Sequence, residues 1–210
     1  MTFEADFVEA RNRASTFFRW LLIIPLVIWA YLWGIVVEIV VLIAWFALLF
    51  TGRYPEGLYD FVAGYLRFLG RVFGYSYLMT DTYAPFGGSP DPQYPVRVEV
   101  APPLEGYGRW RVFLRLPIIL LALVAFYIAY AFTLVVFGVI SGAPWVQWIT
   151  IVNDGRARAS LQRLTWMFVV VELRILSYVF LMDQDFPPFF SEWSKSAVPA
   201  STAPSPSAPQ

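Results

Sequence analysis

The chain has 210 residues, 59% of them apolar, 19% aromatic and 14% charged, with a formal net charge of zero. A soluble domain carries roughly 25% charged residues, so this composition, with a mean hydropathy of +0.60, points to lipid as much of the solvent. There is no cysteine and no histidine, which excludes disulfides, thiol chemistry and iron–sulfur ligation, and removes the commonest general base, zinc ligand and haem ligand.

The opening, MTFEADFVEARNR, is acidic and then basic, and so unlike a secretory signal, which begins basic and apolar. Within it Phe3–Phe7 alternates apolar and polar residues, the period of a short strand. From Leu21 to Phe50 the one charged residue is Glu38. About 20 apolar residues cross a bilayer core, and the pattern predicts a transmembrane helix over 20–50, with Arg19 and Arg53 at its ends and Trp20 suited to an interface. A straight helix of that length, about 45–50 Å at 1.5 Å per residue, must tilt, protrude or bend. The turn TGRYP follows, with Gly to end one helix and Pro to begin the next. Over 57–79 the residues Asp60, Gly64, Arg67, Arg71 and Gly74 recur at helical steps, which predicts an amphipathic helix with a wide apolar face.

The same order then repeats. Val96–Val100 alternates like the opening. Residues 112–140 predict a second transmembrane helix, chargeless from Leu116 onward and preceded by Arg109, Arg111 and Arg115 as Arg11, Arg13 and Arg19 precede the first. Residues 160–182 predict a second amphipathic helix carrying Arg163, Glu172, Arg174 and Ser177. Arg19 and Arg111 each stand six residues before a proline, Pro25 and Pro117, and YSYLMTDTYAPF (Tyr75–Phe86) aligns with YVFLMDQDFPPF (Tyr178–Phe189). The reading is a degenerate tandem duplication: 1–89 is the first repeat, 90–193 the second, and 194–210, rich in Pro, Ser and Ala, a disordered tail. The fold class expected is an all-α integral membrane protein, each repeat a long transmembrane helix followed by an amphipathic helix, with a possible strand pair outside the membrane. Two copies with one charge signature should share an orientation, so each crosses an even number of times. Four spans are favoured. The alternative folds each long run as a hairpin, bent at Gly34 in the first copy, with the amphipathic helix lying in the interface.

RNRASTFFRWLLIIP, IAWFALLFTGRYPEGLYDF, YLMTDTYAPF and YPVRVEV together resemble a bacterial membrane family catalogued as domain of unknown function 4389. Its members are similar in an arginine-bearing lead, an Ile-Pro pair and a Phe-Thr-Gly-Arg-Tyr-Pro turn, often in tandem copies. Leu26 stands where the family often has His, and the second copy has NDGRARAS in place of the Gly-Arg-Tyr-Pro turn. The resemblance implies a fold and no activity.

Among single residues, Glu38 is the intramembrane acid, a candidate for proton or cation chemistry or for a structural ion pair with Arg67 or Arg71. Arg71 and Arg174 are equivalent across the duplication and suit lipid phosphate, headgroup anchoring or internal pairing. Gly70 and Gly74 form a G-x-x-x-G suited to close helix packing. No nucleophile elbow, Walker loop or zinc motif occurs, so no catalytic residue, metal or cofactor is expected, and singly scattered arginines argue against nucleic acid. The expected function is a non-catalytic accessory or scaffold subunit of the bacterial cytoplasmic membrane, multi-pass, packing against lipids, other membrane proteins or itself. The alternative is a small transporter or channel using Glu38 and the arginine stripes.

Overall fold

The computed structural model describes residues 1–115 and 142–185. Most of the expected second transmembrane helix and all of the expected tail lie outside those residues. In chain order the elements are β1 (Thr2–Ala5), α1 (Arg13–Phe17), α2 (Arg19–Thr51), α3 (Glu56–Ser76), β2 (Val96–Glu99), α4 (Ala143–Asp154) and α5 (Ala159–Val179). Residues 109–115 are also helical. Among the described residues the protein is mostly helical, with one strand pair.

Helix α2 runs unbroken for 33 residues. Pro25 in its second turn does not end it, and Gly34 marks no reversal, so the hairpin expected as one alternative is not formed by the first long run. Gly34 instead leaves room for Tyr65 of α3, whose hydroxyl would lie 2.8 Å from an added Cβ. That hydroxyl donates to the Ala30 carbonyl at 3.1 Å, while Trp33 stacks on Phe68 at 5.4 Å between ring centroids. Tyr65→Phe is expected to lower stability by about 1 kcal/mol, the net worth of one buried hydrogen bond, measured by denaturation in micelles. At its end α2 meets Gly52, which adopts φ +69° and donates its N–H to the Leu48 carbonyl at 2.8 Å. Only glycine takes that left-handed conformation without a Cβ clash.

Helix α3 folds back along α2, and most of its residues from Val62 to Tyr75 are buried. It is surrounded: α2 packs on it from one side, β2 and α5 from others. Gly64, Arg71 and Gly74 of the expected stripe therefore face protein, while Asp60 is exposed and Arg67 half-buried. An added Cβ on Gly70 would fall 2.3 Å from Val98 Cγ2, and one on Gly74 would fall 2.7 Å from Val96 Cγ2. The glycines admit a strand, where the motif suggested a second helix. Gly70→Ala is expected to push β2 outward and cost about 1–3 kcal/mol, as overpacking does. Faster amide exchange at 96–99 would report it.

The strands pair antiparallel, with Phe3 opposite Val98 and Ala5 opposite Val96. Those four side chains are buried, while Glu4, Asp6 and Arg97 turn outward. Arg97 forks onto Asp6 at 2.8 and 3.0 Å, and that hydrogen bonding raises the Arg97 pKa above its usual value. Proceeding from α2, the order is α2, then α3, then the strand pair. Helix α5 lies antiparallel to α3: its Leu173 meets Gly70, and its end reaches back to the start of α3, where Tyr54 Oη donates to the Phe180 carbonyl at 3.4 Å.

Features recur at a spacing of 103 residues. Helices α3 and α5 are each 21 residues long. Gly155 ends α4 with φ +71°, as Gly52 ends α2. Leu78 and Leu181 both carry positive φ, 64° and 63°. After α3 the Met79 N–H returns to the Gly74 carbonyl and the Leu78 N–H to Tyr75; after α5 Met182 returns to Ser177 and Leu181 to Tyr178. Both ends are Schellman motifs with leucine at the position that usually holds glycine.

Candidate functional site

Both Schellman turns are held by arginines. At the first, Arg19, 2% exposed, donates to the carbonyls of Tyr75 (2.8 Å) and Thr80 (2.9 Å) and to the Asp81 carboxylate (2.7 Å). Its guanidinium lies 4.5 Å from the centroid of the Tyr75 ring. Asp81 accepts a second bond from the Asn12 N–H at 2.8 Å, and the Asn12 side chain caps α1 by accepting from Ser15. Arg11 donates to the Met79 carbonyl at 2.6 Å; burial lowers its pKa, with Asp81 acting against the shift. Positive φ at a leucine costs on the order of 1–2 kcal/mol and persists where the surroundings fix it. Buried Leu78 and the carbonyls gripped by the two arginines supply that constraint.

The second turn is held in the same way from residues 107–115. Arg115 donates to the carbonyls of Asp183 (2.5 Å) and Gln184, and stands over the Tyr178 ring at 4.0 Å. Tyr107 Oη donates to the Met182 carbonyl at 3.3 Å. Each arginine-bearing segment also bonds the glycine that ends a long-range partner helix. The Tyr107 N–H donates to the Gly52 carbonyl, and the Arg11 N–H to the Gly155 carbonyl, both at 2.9 Å. Trp45 Nε1 donates to the Val112 carbonyl (2.8 Å), and Trp148 Nε1 to the Thr16 carbonyl (3.0 Å).

With the interior so fixed, the most extensive exposed apolar surface among the described residues is the outer face of α2. Only 28% of its most apolar 18 residues are buried. Leu21, Ile24, Ile28, Tyr31, Ile35, Ile39, Leu42, Phe46 and Phe50 recur at steps of three and four along the exposed side, the spacing of one helical face. Leu21 is 64% and Phe50 72% exposed. A core helix of a soluble protein would be mostly covered. Exposed Phe17 and Phe18 extend the face at one end, and exposed Trp110, Phe113 and Leu114 add apolar surface from the arginine-bearing segment before residue 116.

Residues 13–87 match the family model for a domain of unknown function (DUF4389). Over those residues the chain is similar to DUF4389. No curated protein and no solved structure matches it. The DUF4389 segment comprises α1, α2, α3 and the loop to Gly87, and so contains the whole Arg19–Asp81 contact together with the apolar face.

The sequence-predicted residues fall as follows. Glu38 sits half-buried on α2 of the matched segment, at the border of its two faces: Leu42, one turn on, is exposed, and Trp45, two turns on, is buried. Arg71 is buried and donates to the carbonyls of Gly87 (3.0 Å) and Ser89 (2.5 Å), with the Tyr94 ring 5.7 Å away. Arg67 is half-buried on α3, and Arg174 half-buried on α5. Gly70 and Gly74 line the seat of β2. The residues that sequence reasoning missed are Arg11, Arg19, Asp81, Tyr107 and Arg115. Their arginines were visible as clusters before each apolar run, but nothing local shows that a side chain there reaches a turn 62 residues away. Among the described residues no group of His, Cys, Asp or Glu could hold a metal. A shallow polar depression of about 460 Å³ lined by Glu9, Thr150, Asp154, Arg156, Ala157 and Arg158 mixes both charge signs and presents no nucleophile–base pair.

Proposed function

We propose that this protein is a non-catalytic membrane protein of the bacterial cytoplasmic membrane. Its apolar face sits in lipid, and its folded remainder serves as an accessory or scaffold for other membrane proteins or further copies of itself. The observation that carries this reading is the exposed apolar side of α2, far larger than a soluble surface tolerates. The chain is read as two degenerate copies; equal helix lengths, paired Schellman turns and reciprocal N–H to glycine-carbonyl bonds support that reading. The carbonyl contacts of Arg71 leave less of the arginine stripe to line a transport path, which favours the scaffold over the transporter.

Extraction in mild detergent, followed by identification of bound proteins and lipids, tests the proposal. The expected result is a protein that needs detergent and elutes with a stoichiometric companion or as an oligomer. A monodisperse preparation in plain buffer would overturn the membrane reading. Loss of an ion-dependent flux in proteoliposomes on Glu38→Gln would overturn the non-catalytic one in favour of transport.

A further inference from the structure

We infer that α2 is seated flat: it lies in the plane of one leaflet of a phospholipid bilayer, its apolar face toward the acyl chains, and the strand pair points to water. The inference rests on the membrane reading above and concerns how the protein is seated.

An upright α2 would place its midpoint near the bilayer centre. At 33 residues it is about 50 Å long at 1.5 Å per residue, against a hydrocarbon thickness of about 30 Å. Its middle residue region holds Gly34, which is in contact with Tyr65. Gly70, the seat of Val98, follows Tyr65 by five residues, about 7.5 Å along α3. Gly74, the seat of Val96, follows Gly70 by four residues, so the strand pair lies within about 14 Å of the mid-height of α2. Upright, it would set Glu4, Asp6 and Arg97, all outward-facing, inside the hydrocarbon, where charge is costly. The irregular loop through Gly87 and Ser89 meets the same obstacle: Gly88 packs on Gly64, and Trp29 Nε1 donates to the Phe86 carbonyl, again near mid-height. Lipid-exposed loops and open sheet edges do not occur within a bilayer core.

Laid flat, each obstacle disappears. The strand pair sits two layers from the apolar face, on the water side of α3. Glu38, at the border of the buried and exposed faces of α2, comes to headgroup level in place of the bilayer centre. The arginines agree. Arg11, Arg13 and Arg19 cluster where α2 begins, and Arg111 and Arg115 cluster where it ends, since Tyr107 bonds Gly52. An upright molecule would divide these clusters between the two sides of the membrane, against the bias of Lys and Arg for one side. A flat one keeps both on the same side.

The native chain lacks cysteine, so single cysteines report without background. Ala14→Cys marks the start of α2, Glu56→Cys its end and Glu4→Cys the strand pair; all three positions are exposed. The full-length variants are expressed in a bacterial host and treated with a membrane-impermeant maleimide in spheroplasts and in inverted vesicles. All three are expected to label from the same side, at least tenfold faster than from the other. Labelling of Ala14→Cys and Glu56→Cys from opposite sides, or protection of Glu4→Cys from both, would overturn the flat seating. Trypsin on the unmodified protein gives an independent reading: cuts after Arg13 and Arg53 from one face support the inference, and one cut from each face refutes it. A protein that leaves the membrane without detergent would instead refute the membrane reading itself.

Discussion

Arg19→Met is expected to destabilise the protein by about 3 kcal/mol or more, measured as the free energy of denaturation in mild detergent. Removing one partner of a buried charge pair typically costs about 3–5 kcal/mol. Here the substitution strands the Asp81 carboxylate and the carbonyls of Tyr75 and Thr80, which converge on Arg19 at 2.7–2.9 Å. Asp81 keeps partial exposure and its bond from the Asn12 N–H, which places the effect toward the lower end of that range. Arg19→Lys is not a rescue: one ammonium lacks the fork that spans three acceptors and the flat face that lies on Tyr75. If Arg19→Met changes stability by less than 1 kcal/mol, the contact is not what closes the turn.

Gly88→Ala is the second large effect. An added Cβ would lie 2.4 Å from the Gly64 carbonyl oxygen and 2.6 Å from Gly64 Cα. Both obstructing atoms belong to backbone, so no rotamer change relieves the contact and the loop must lift from α3. The lift would pull the Gly87 and Ser89 carbonyls from Arg71, leaving a buried guanidinium short of acceptors. The expected loss is about 2–3 kcal/mol, combining overpacking with weakened charge-assisted hydrogen bonds. Gly87→Ala makes the control, because nothing lies within 4 Å of its added Cβ. Equal stability of the two variants would refute the explanation.

Helix α2 was legible in the sequence because an apolar run with a single charge, Glu38, dictates its own length, and the TGRYP turn marks its end by chemistry that acts over a few residues. The strand pair was legible in outline from alternation at Phe3–Phe7 and Val96–Val100. The surroundings of α3 were not. Its stripe of glycine and charge predicts a surface that differs from the rest of the helix, but a strand, a loop and a second helix all satisfy that pattern. Gly70 and Gly74 were thus identified as packing positions while their neighbours, Val98 and Val96, were not. The proline spacing paired Arg19 with Arg111, whereas by contact its counterpart is Arg115, one helical turn further on. A long side chain reaches its acceptors from either turn, and spacing alone does not choose between them. Asp81 carried no signal, since an acid in a polar loop usually meets water.

The crossed bonds also set an order of events during synthesis. Thr2–Ala5 finds its partner strand only once residues 96–99 have been made, and the Arg11 N–H waits for Gly155. The earliest-translated residues therefore complete their bonding among the last, after the long apolar helix α2 has already left the ribosome. Until then that helix needs a chaperone or a lipid surface to shield it, and truncations that stop short of residue 155 should leave the amino terminus open to proteases even when α2 and α3 have formed.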